Sequence, residues 1–482
     1  ANSQTKSKMS TARRVVVVPG QSISHIIPML EFAAICLDRG LAVTVVVPDP
    51  SLTAPAFRST VCRYASRLPS LSVHSLPPPP AQQQPLDAAS APAHPFIRMQ
   101  AASRSQAPGL RDFLRSLPAV HALVADMLDV VCAVDVAAEV GIPGHLFFST
   151  GATTLSVFLG LPLFCSRSDR GLKDLGDAPV VFPGAPKMPA SHLPDAVLDR
   201  GTDLYATSLD VFGRMAAASG ILVNTFEALE SSALEALRDG RCLPDRATPP
   251  VYCIGPLFAE AEKGEERHPC LPWLDAQPER SVVFLCFGSR YTVSQEQIGE
   301  MAKGLEVSGH RFLWVLRAPP AFAAAAGEPD AALSLLPDGF LVRTADRGLV
   351  VTASTSWVPQ VEVLHHASTG AFVTHCGWNS TLEAVAAGVP MVCWPLVAEQ
   401  WMNKVYIVEE MKVGVEVRGY KRGGLVTADD VDAVVRQVMD MEPERRRAME
   451  ERLMEMKKSS ECAWKEGGSS RTAFAEFVKQ ME

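Results

Sequence analysis

Residues 357–400 read WVPQVEVLHHASTGAFVTHCGWNSTLEAVAAGVPMVCWPLVAEQ, from Trp357 to Gln400. At their centre an apolar run, Gly370–Val373, ends in Thr374-His375-Cys376-Gly377, and Trp378-Asn379-Ser380 opens a helical pattern at once. A strand that passes through a short polar loop straight into a helix is the building unit of a parallel α/β sheet. Such a junction is also an anion site, because the unpaired N–H groups of the first helical turn and the helix dipole both point at the loop. His375 stands at the strand end, and Asn379 and Ser380 stand in the first turn. Ahead of them Trp357 offers a flat apolar face. After them Glu383 and the pair Glu399-Gln400 offer partners for hydroxyl groups. Together these groups suit a base, a ribose, a diphosphate and a sugar, so the segment implies a nucleotide-sugar site.

The same alternation runs through the rest of the chain. Strands are expected at Val15–Val18, Val43–Val47, Ala122–Ala125, His145–Phe148 and Ile221–Asn224. A second series is expected at Val282–Phe287, Phe312–Leu316, Leu349–Thr352, Gly370–Val373 and Met391–Trp394. The spacing of Leu30, Ala33, Ala34 and Leu37 predicts a helix over Ile26–Arg39, with Pro28 in its first turn. Two doubly wound domains follow from this pattern, over 1–247 and over 273–465, the second carrying the nucleotide-sugar segment. The proline-bearing, charged stretch 248–272 reads as the linker, and 466–482 as a terminal helix region. Pro77–Pro95 and Ala318–Ala332 read as exposed loops. Ligands of such sheets lie beyond the carboxyl ends of the strands.

A chain of 482 residues has length for two cores, and its net charge of −8 disfavours nucleic acid as a partner. Eleven cysteines, odd in number and dispersed, fit a reducing cytoplasm better than a disulfide framework. The polar N-terminal stretch Ala1–Arg14 does not read as a signal peptide, and no apolar run is long enough for a membrane helix.

The 44-residue segment from Trp357 to Gln400, with HCGWNS at its centre and Glu-Gln at its end, resembles the signature of the plant secondary-product UDP-glycosyltransferases. The resemblance implies the GT-B fold, two Rossmann-like domains facing across a cleft, with a final helix (Arg471–Met481) crossing back onto the first. It implies an inverting, metal-independent transfer of glucose from UDP-glucose to a small phenolic or flavonoid acceptor. In that reading Trp357 stacks on uracil, the Val358 backbone reads the base edge, and Gln360 and Glu383 bind ribose. His375, Gly377, Asn379, Ser380 and Ser289 meet the diphosphate, while Trp378, Glu399 and Gln400 contact the sugar.

His25 follows the first strand in the loop Pro19-Gly20-Gln21-Ser22-Ile23-Ser24, where the family places its catalytic base. Neutral imidazole suits removal of a phenol proton. Asp126 ends another strand, and the family has an acid there that steadies the imidazolium. A helix N-cap is the bland role for Asp126, and Asp129 competes for either part. The chain departs from the family pattern at Ser22 and Ser24, where glycine is frequent, and at Tyr291 and Val397. The stretch Asp126–Asp135 is one residue longer than usual. The alternatives are transfer to carbon and a nucleotide-sugar-binding protein without catalysis. An NAD-dependent oxidoreductase is disfavoured, because no Gly-x-Gly-x-x-Gly turn follows the first strand.

Overall fold

The computed structural model describes residues 13–79, 94–259, 267–289, 291–319, 331–352 and 358–481. Trp357, the charged patch Glu260–Arg267 up to its penultimate residue, and most of the two proline- and alanine-rich loops lie outside them.

Seven parallel strands form the first sheet: β1 (Arg14–Val18), β2 (Ala42–Val47), β3 (Ser72–Ser75), β4 (Ala122–Asp126), β5 (Gly144–Phe148), β8 (Gly220–Val223) and β9 (Val251–Cys253). Their order is β3-β2-β1-β4-β5-β8-β9. A two-stranded hairpin, β6 (Pro179–Val180) with β7 (Met188–Pro189), stands apart. The second sheet is also parallel: β10 (Val282–Cys286), β11 (Arg311–Leu316), β12 (Gly348–Thr352), β13 (Thr369–Thr374), β14 (Met391–Cys393) and β15 (Gly414–Glu416), in the order β12-β11-β10-β13-β14-β15. Both sheets reverse their winding beside their first strand, at β1/β4 and at β10/β13. The loops leaving those strands open into a crevice, since their crossover helices depart in opposite directions.

The strands form where the runs are buried on both faces: β4, β5 and β10 are buried at every position. The expected strands all appear, with ends that shift by no more than one residue. Three short strands, β3, β9 and β15, carry too few apolar residues to announce themselves. β9 corrects the linker boundary: Val251–Cys253 pairs with Ile221–Val223 and so belongs to the first sheet. The first helix also differs from its expected span. It covers Ile23–Asp38, because Ser22 takes an extended N-cap conformation and its carbonyl accepts the N–H groups of His25 and Ile26. Pro28 therefore lies in the second turn, and His25 is a first-turn helical residue instead of a loop residue.

Each sheet has its own core. The last helix, Ser469–Lys479, joins the first of them. Phe477 is fully buried and meets His145 edge-on at 5.0 Å, Tyr252 at 5.8 Å and Phe32 at 6.0 Å. Arg13 Nη1 donates to the Val478 carbonyl at 3.1 Å. Burying one such phenylalanine contributes about 2–3 kcal/mol.

Candidate active site

The first-domain half of the crevice is built at the ends of β1, β4 and β5. Asp126 is the last residue of β4 and is fully buried. His25 Nδ1 lies 2.9 Å from Asp126 Oδ2 and 3.1 Å from Oδ1. A carboxylate can only accept, so Nδ1 carries the proton and Nε2 is the basic nitrogen. Asp126 Oδ1 also accepts the Leu128 N–H at 2.9 Å, which fixes the carboxylate against the backbone. The Ser149 hydroxyl, just past β5, stands 2.9 Å from the same Nδ1. The sequence reading missed Ser149, although a polar side chain at the end of a buried strand is the signal that marked Asp126. Gly20 permits the approach: a Cβ there would fall 2.6 Å from Asp126 Oδ1 and 3.1 Å from His25 Cβ. Asp129, the competitor, stands at the N-cap position of the helix Val130–Glu139 without a side-chain cap bond, and burial pushes its carboxyl up to about 7.

The second-domain half is the β13–helix junction. Cys376 adopts a left-handed conformation (φ 62°), rare for a residue with a side chain. Two clamps hold it there. Its N–H donates to Thr374 Oγ1 at 3.2 Å, and its carbonyl accepts Asn403 Nδ2 at 2.9 Å. The turn delivers the chain into the helix Trp378–Ala387, whose N-cap, Gly377, has no side chain to cover the first N–H groups. These donors are the ones an anion would use.

His375 packs between Gly288 and Gly377; a Cβ on either glycine would fall 2.8 or 2.5 Å from its Nε2. Burial pushes the imidazole down to about 4, so it is neutral at physiological pH. Its buried Nδ1 has no partner among the described residues. Ser289 sits on the turn after β10, beside Gly288. Gln360 Nε2 donates to Ser380 Oγ at 2.9 Å and to Glu383 Oε2 at 2.6 Å, and burial raises the Glu383 carboxyl to about 7. Val358, also buried, leads into the short helix that begins at Gln360. Trp357, the expected base platform, lies outside the described residues.

Two residues expected at the sugar behave differently. Trp378 is buried, and its indole N–H donates to the Asn224 carbonyl at 2.7 Å. It braces the two domains, and what it offers the crevice is its backbone at the helix start. Gln400 Oε1 accepts the Leu396 and Val397 N–H groups, both at 2.9 Å, so its carbonyl is committed to ordering that loop. Glu399 precedes the helix Gln400–Val405, and burial raises its carboxyl. Asn379, expected at phosphate, directs Nδ2 across the crevice to the Ser24 carbonyl at 2.7 Å. A buried cap inside the first domain went unread. Glu230, fully buried, accepts the N–H groups of Ala152 and Thr153 at 2.8 Å each, and its carboxylate would stand 2.7 Å from a Cβ on Gly151.

The sequence model of the family described as UDP-glucoronosyl and UDP-glucosyl transferase matches residues 224–458. An anthocyanidin 5,3-O-glucosyltransferase of a Rosa hybrid cultivar is 38% identical over 480 residues, covering 96% of this chain and 98% of its own. A phloretin 2'-O-glucosyltransferase of Pyrus communis is 42% identical over 396 residues, covering 78% and 81%. Among solved structures, Phytolacca americana UGT2 complexed with UDP-2fluoro-glucose and pterostilbene superposes with a TM-score of 0.84. It shares 35% identity over 98% of this chain and 100% of that one. With two facing Rossmann-like sheets and relatives at this identity along nearly its whole length, the chain belongs to the plant secondary-product UDP-glycosyltransferases and is a glycosyltransferase of the GT-B fold.

Proposed function

We propose that the protein transfers glucose from UDP-glucose to a hydroxyl of a small phenolic or flavonoid acceptor, with inversion at the anomeric carbon. One observation carries this reading: His25, its tautomer set by the buried Asp126, stands across a crevice from an uncapped helix N-terminus. Nε2 takes the acceptor proton while the acceptor oxygen forms its bond to the anomeric carbon. The bond from that carbon to the diphosphate oxygen breaks, and its electron pair leaves with UDP. Asp126 stabilises the imidazolium so formed; general-base assistance of this kind is worth ~10²–10⁴-fold. The charge that develops on the diphosphate meets fixed donors, namely the first N–H groups of the helix Trp378–Ala387, neutral His375, Ser380 and Ser289. Attack from the face opposite the leaving group turns an α-linked donor into a β-glycoside.

In this proposal Gln360 and Glu383 hold the ribose, Val358 the base edge, and Glu399 and the amide nitrogen of Gln400 the sugar. The acceptor is held by the first domain, through Cys253, and the donor by 273–465. The protein acts in the cytoplasm. All eleven cysteines are free, and no helix among the described residues is long and apolar enough to cross a membrane.

The test is UDP release from UDP-glucose with a panel of phenols, for wild type and His25→Ala. Acceptor-dependent release that disappears in the variant, with an O-linked β-glucoside as product, is the expected result. Release that survives His25→Ala refutes the base, and a carbon-linked product refutes the acceptor atom.

A further inference from the structure

The first domain holds a polar pocket at the carboxyl ends of β1, β2 and β3, the edge of the sheet that also carries His25. Its far wall is the corner between the helices Pro95–Ser105 and Ala107–Ser116, together with the start of the helix Val130–Glu139. Leu76 and Leu110 supply apolar lining, and Gln21, Ser103, Gln106 and Asp129 supply polar lining. The space among them is about 20 Å³, enough for one water-sized group such as a hydroxyl. Gln106 is only 6% exposed. Its Oε1 accepts the Asp49 N–H at 3.4 Å, whereas its buried Nε2 has no partner among the described residues. Buried amide donors are paired as a rule, so this one points to an acceptor atom that a ligand brings. Asp129 does not spend its carboxyl on capping the helix that it precedes. It lies in the stretch Asp126–Asp135, whose length departs from the family pattern, and both Asp129 and Gln21 keep part of their surface open.

We propose that this pocket selects polyhydroxylated acceptors: it takes a second hydroxyl of the molecule whose first hydroxyl stands at His25. Gln106 Nε2 donates to the oxygen of that second hydroxyl, and the Asp129 carboxyl accepts its proton in a hydrogen bond. The two partners complement each other, since a hydroxyl both donates and accepts, and neither an ether nor a bare ring edge satisfies both. Gln21 stands in the loop that leads to His25, and Asp129 follows Asp126 within one turn, so the pocket adjoins the reacting pair. The proposal rests on the reading of the protein as a glucosyltransferase with His25 as base. It adds to that reading the second point at which the acceptor is held.

The experiment measures kcat/KM for UDP release with 2-naphthol, which has one hydroxyl, and with the isomeric dihydroxynaphthalenes, which place a second one at different reach. It compares wild type, Asp129→Ala, Asp129→Asn, Gln106→Leu and His25→Ala, and a thermal scan shows that each variant is folded. In wild type at least one dihydroxy isomer should exceed 2-naphthol by about tenfold or more, because a site built for a hydroxyl rejects the analogue without it. In Asp129→Ala and in Gln106→Leu that ratio should fall to about twofold or less, with the loss carried by KM. Asp129→Asn keeps a hydrogen-bonding group and should retain the ratio within about threefold of wild type. A ratio that survives in both Asp129→Ala and Gln106→Leu overturns the proposal and makes the pocket a seat for structural water. So does a wild type that prefers none of the isomers to 2-naphthol. Wild-type turnover in His25→Ala would bring down the base, and the proposal with it, by a route separate from the ratios.

Discussion

Gly20→Ala is the smallest change that tests whether the spacing of His25 and Asp126 sets the rate. The added methyl would stand 2.6 Å from Asp126 Oδ1 and 2.7 Å from its Cγ, where ordinary contact begins at 3.4 Å. The carboxylate must therefore retreat by about 0.8 Å, or the β1 turn must move by as much. Retreat is resisted, since Asp126 is fully buried and tied to the Leu128 N–H at 2.9 Å. A displacement approaching 1 Å in a catalytic pair costs up to ~10²-fold, so kcat should fall by between about 10- and 100-fold. The UDP site proposed above lies on the other domain, so the UDP Kd should stay within about twofold of wild type. UDP release at saturating donor gives kcat, calorimetry gives Kd, and a thermal scan shows that the variant is folded. A folded variant with kcat within about twofold of wild type would refute the reasoning, because the imidazole–carboxylate register would then be irrelevant to turnover.

Three further outcomes follow from the buried carboxyls. With the Glu383 carboxyl at about 7, uridine affinity should rise between about pH 6 and 8 as the carboxylate forms, and Glu383→Gln should flatten the profile. Uridine is the ligand because it lacks the phosphate that titrates in this range, and a flat wild-type profile removes Glu383 from the ribose. Asp129 ionises at about 7 in the fold against 3.8 as a free side chain, so the folded state holds an extra proton between those values. The associated stability is present at low pH and lost as pH rises through 7. Asp129→Asn should therefore raise the thermal midpoint at about pH 8 and not at about pH 4; an equal effect at both contradicts the linkage. Glu230→Ala strands two buried N–H groups, those of Ala152 and Thr153, and should cost about 2–4 kcal/mol in denaturant unfolding. A loss below about 0.5 kcal/mol would mean that water replaces the cap.

What could be read from the sequence was local. β1, β4, β10 and β13 are runs of buried apolar residues, and the polar residues that end them, Asp126 and His375, are found by position alone. Short strands such as Ser72–Ser75, three of whose four residues are exposed, have no such pattern. The start of the first helix was misplaced because proline favours a first turn, whereas here the helix tolerates it one turn later. The contacts that join the domains were not legible. Trp378 reaches Asn224 across 154 residues and Asn379 reaches Ser24 across 355, and no periodicity encodes a pairing at that separation. Trp378 and Asn379 are expected at the sugar and the phosphate on residue type, and their bonds to the Asn224 and Ser24 carbonyls are additional to that expectation.

The last helix bears on how the enzyme is made. Phe474 and Phe477 complete the core that Phe32, His145, Phe147 and Tyr252 begin. The first domain is thus assembled from segments on either side of the second, and during synthesis it waits for the whole second domain to emerge from the ribosome before its aromatic face is covered. A chain terminated ahead of Ser469 carries every residue proposed for binding and catalysis and still displays that face. Chaperones and proteases, which recognise exposed apolar surface, can thereby tell an aborted product from a finished one.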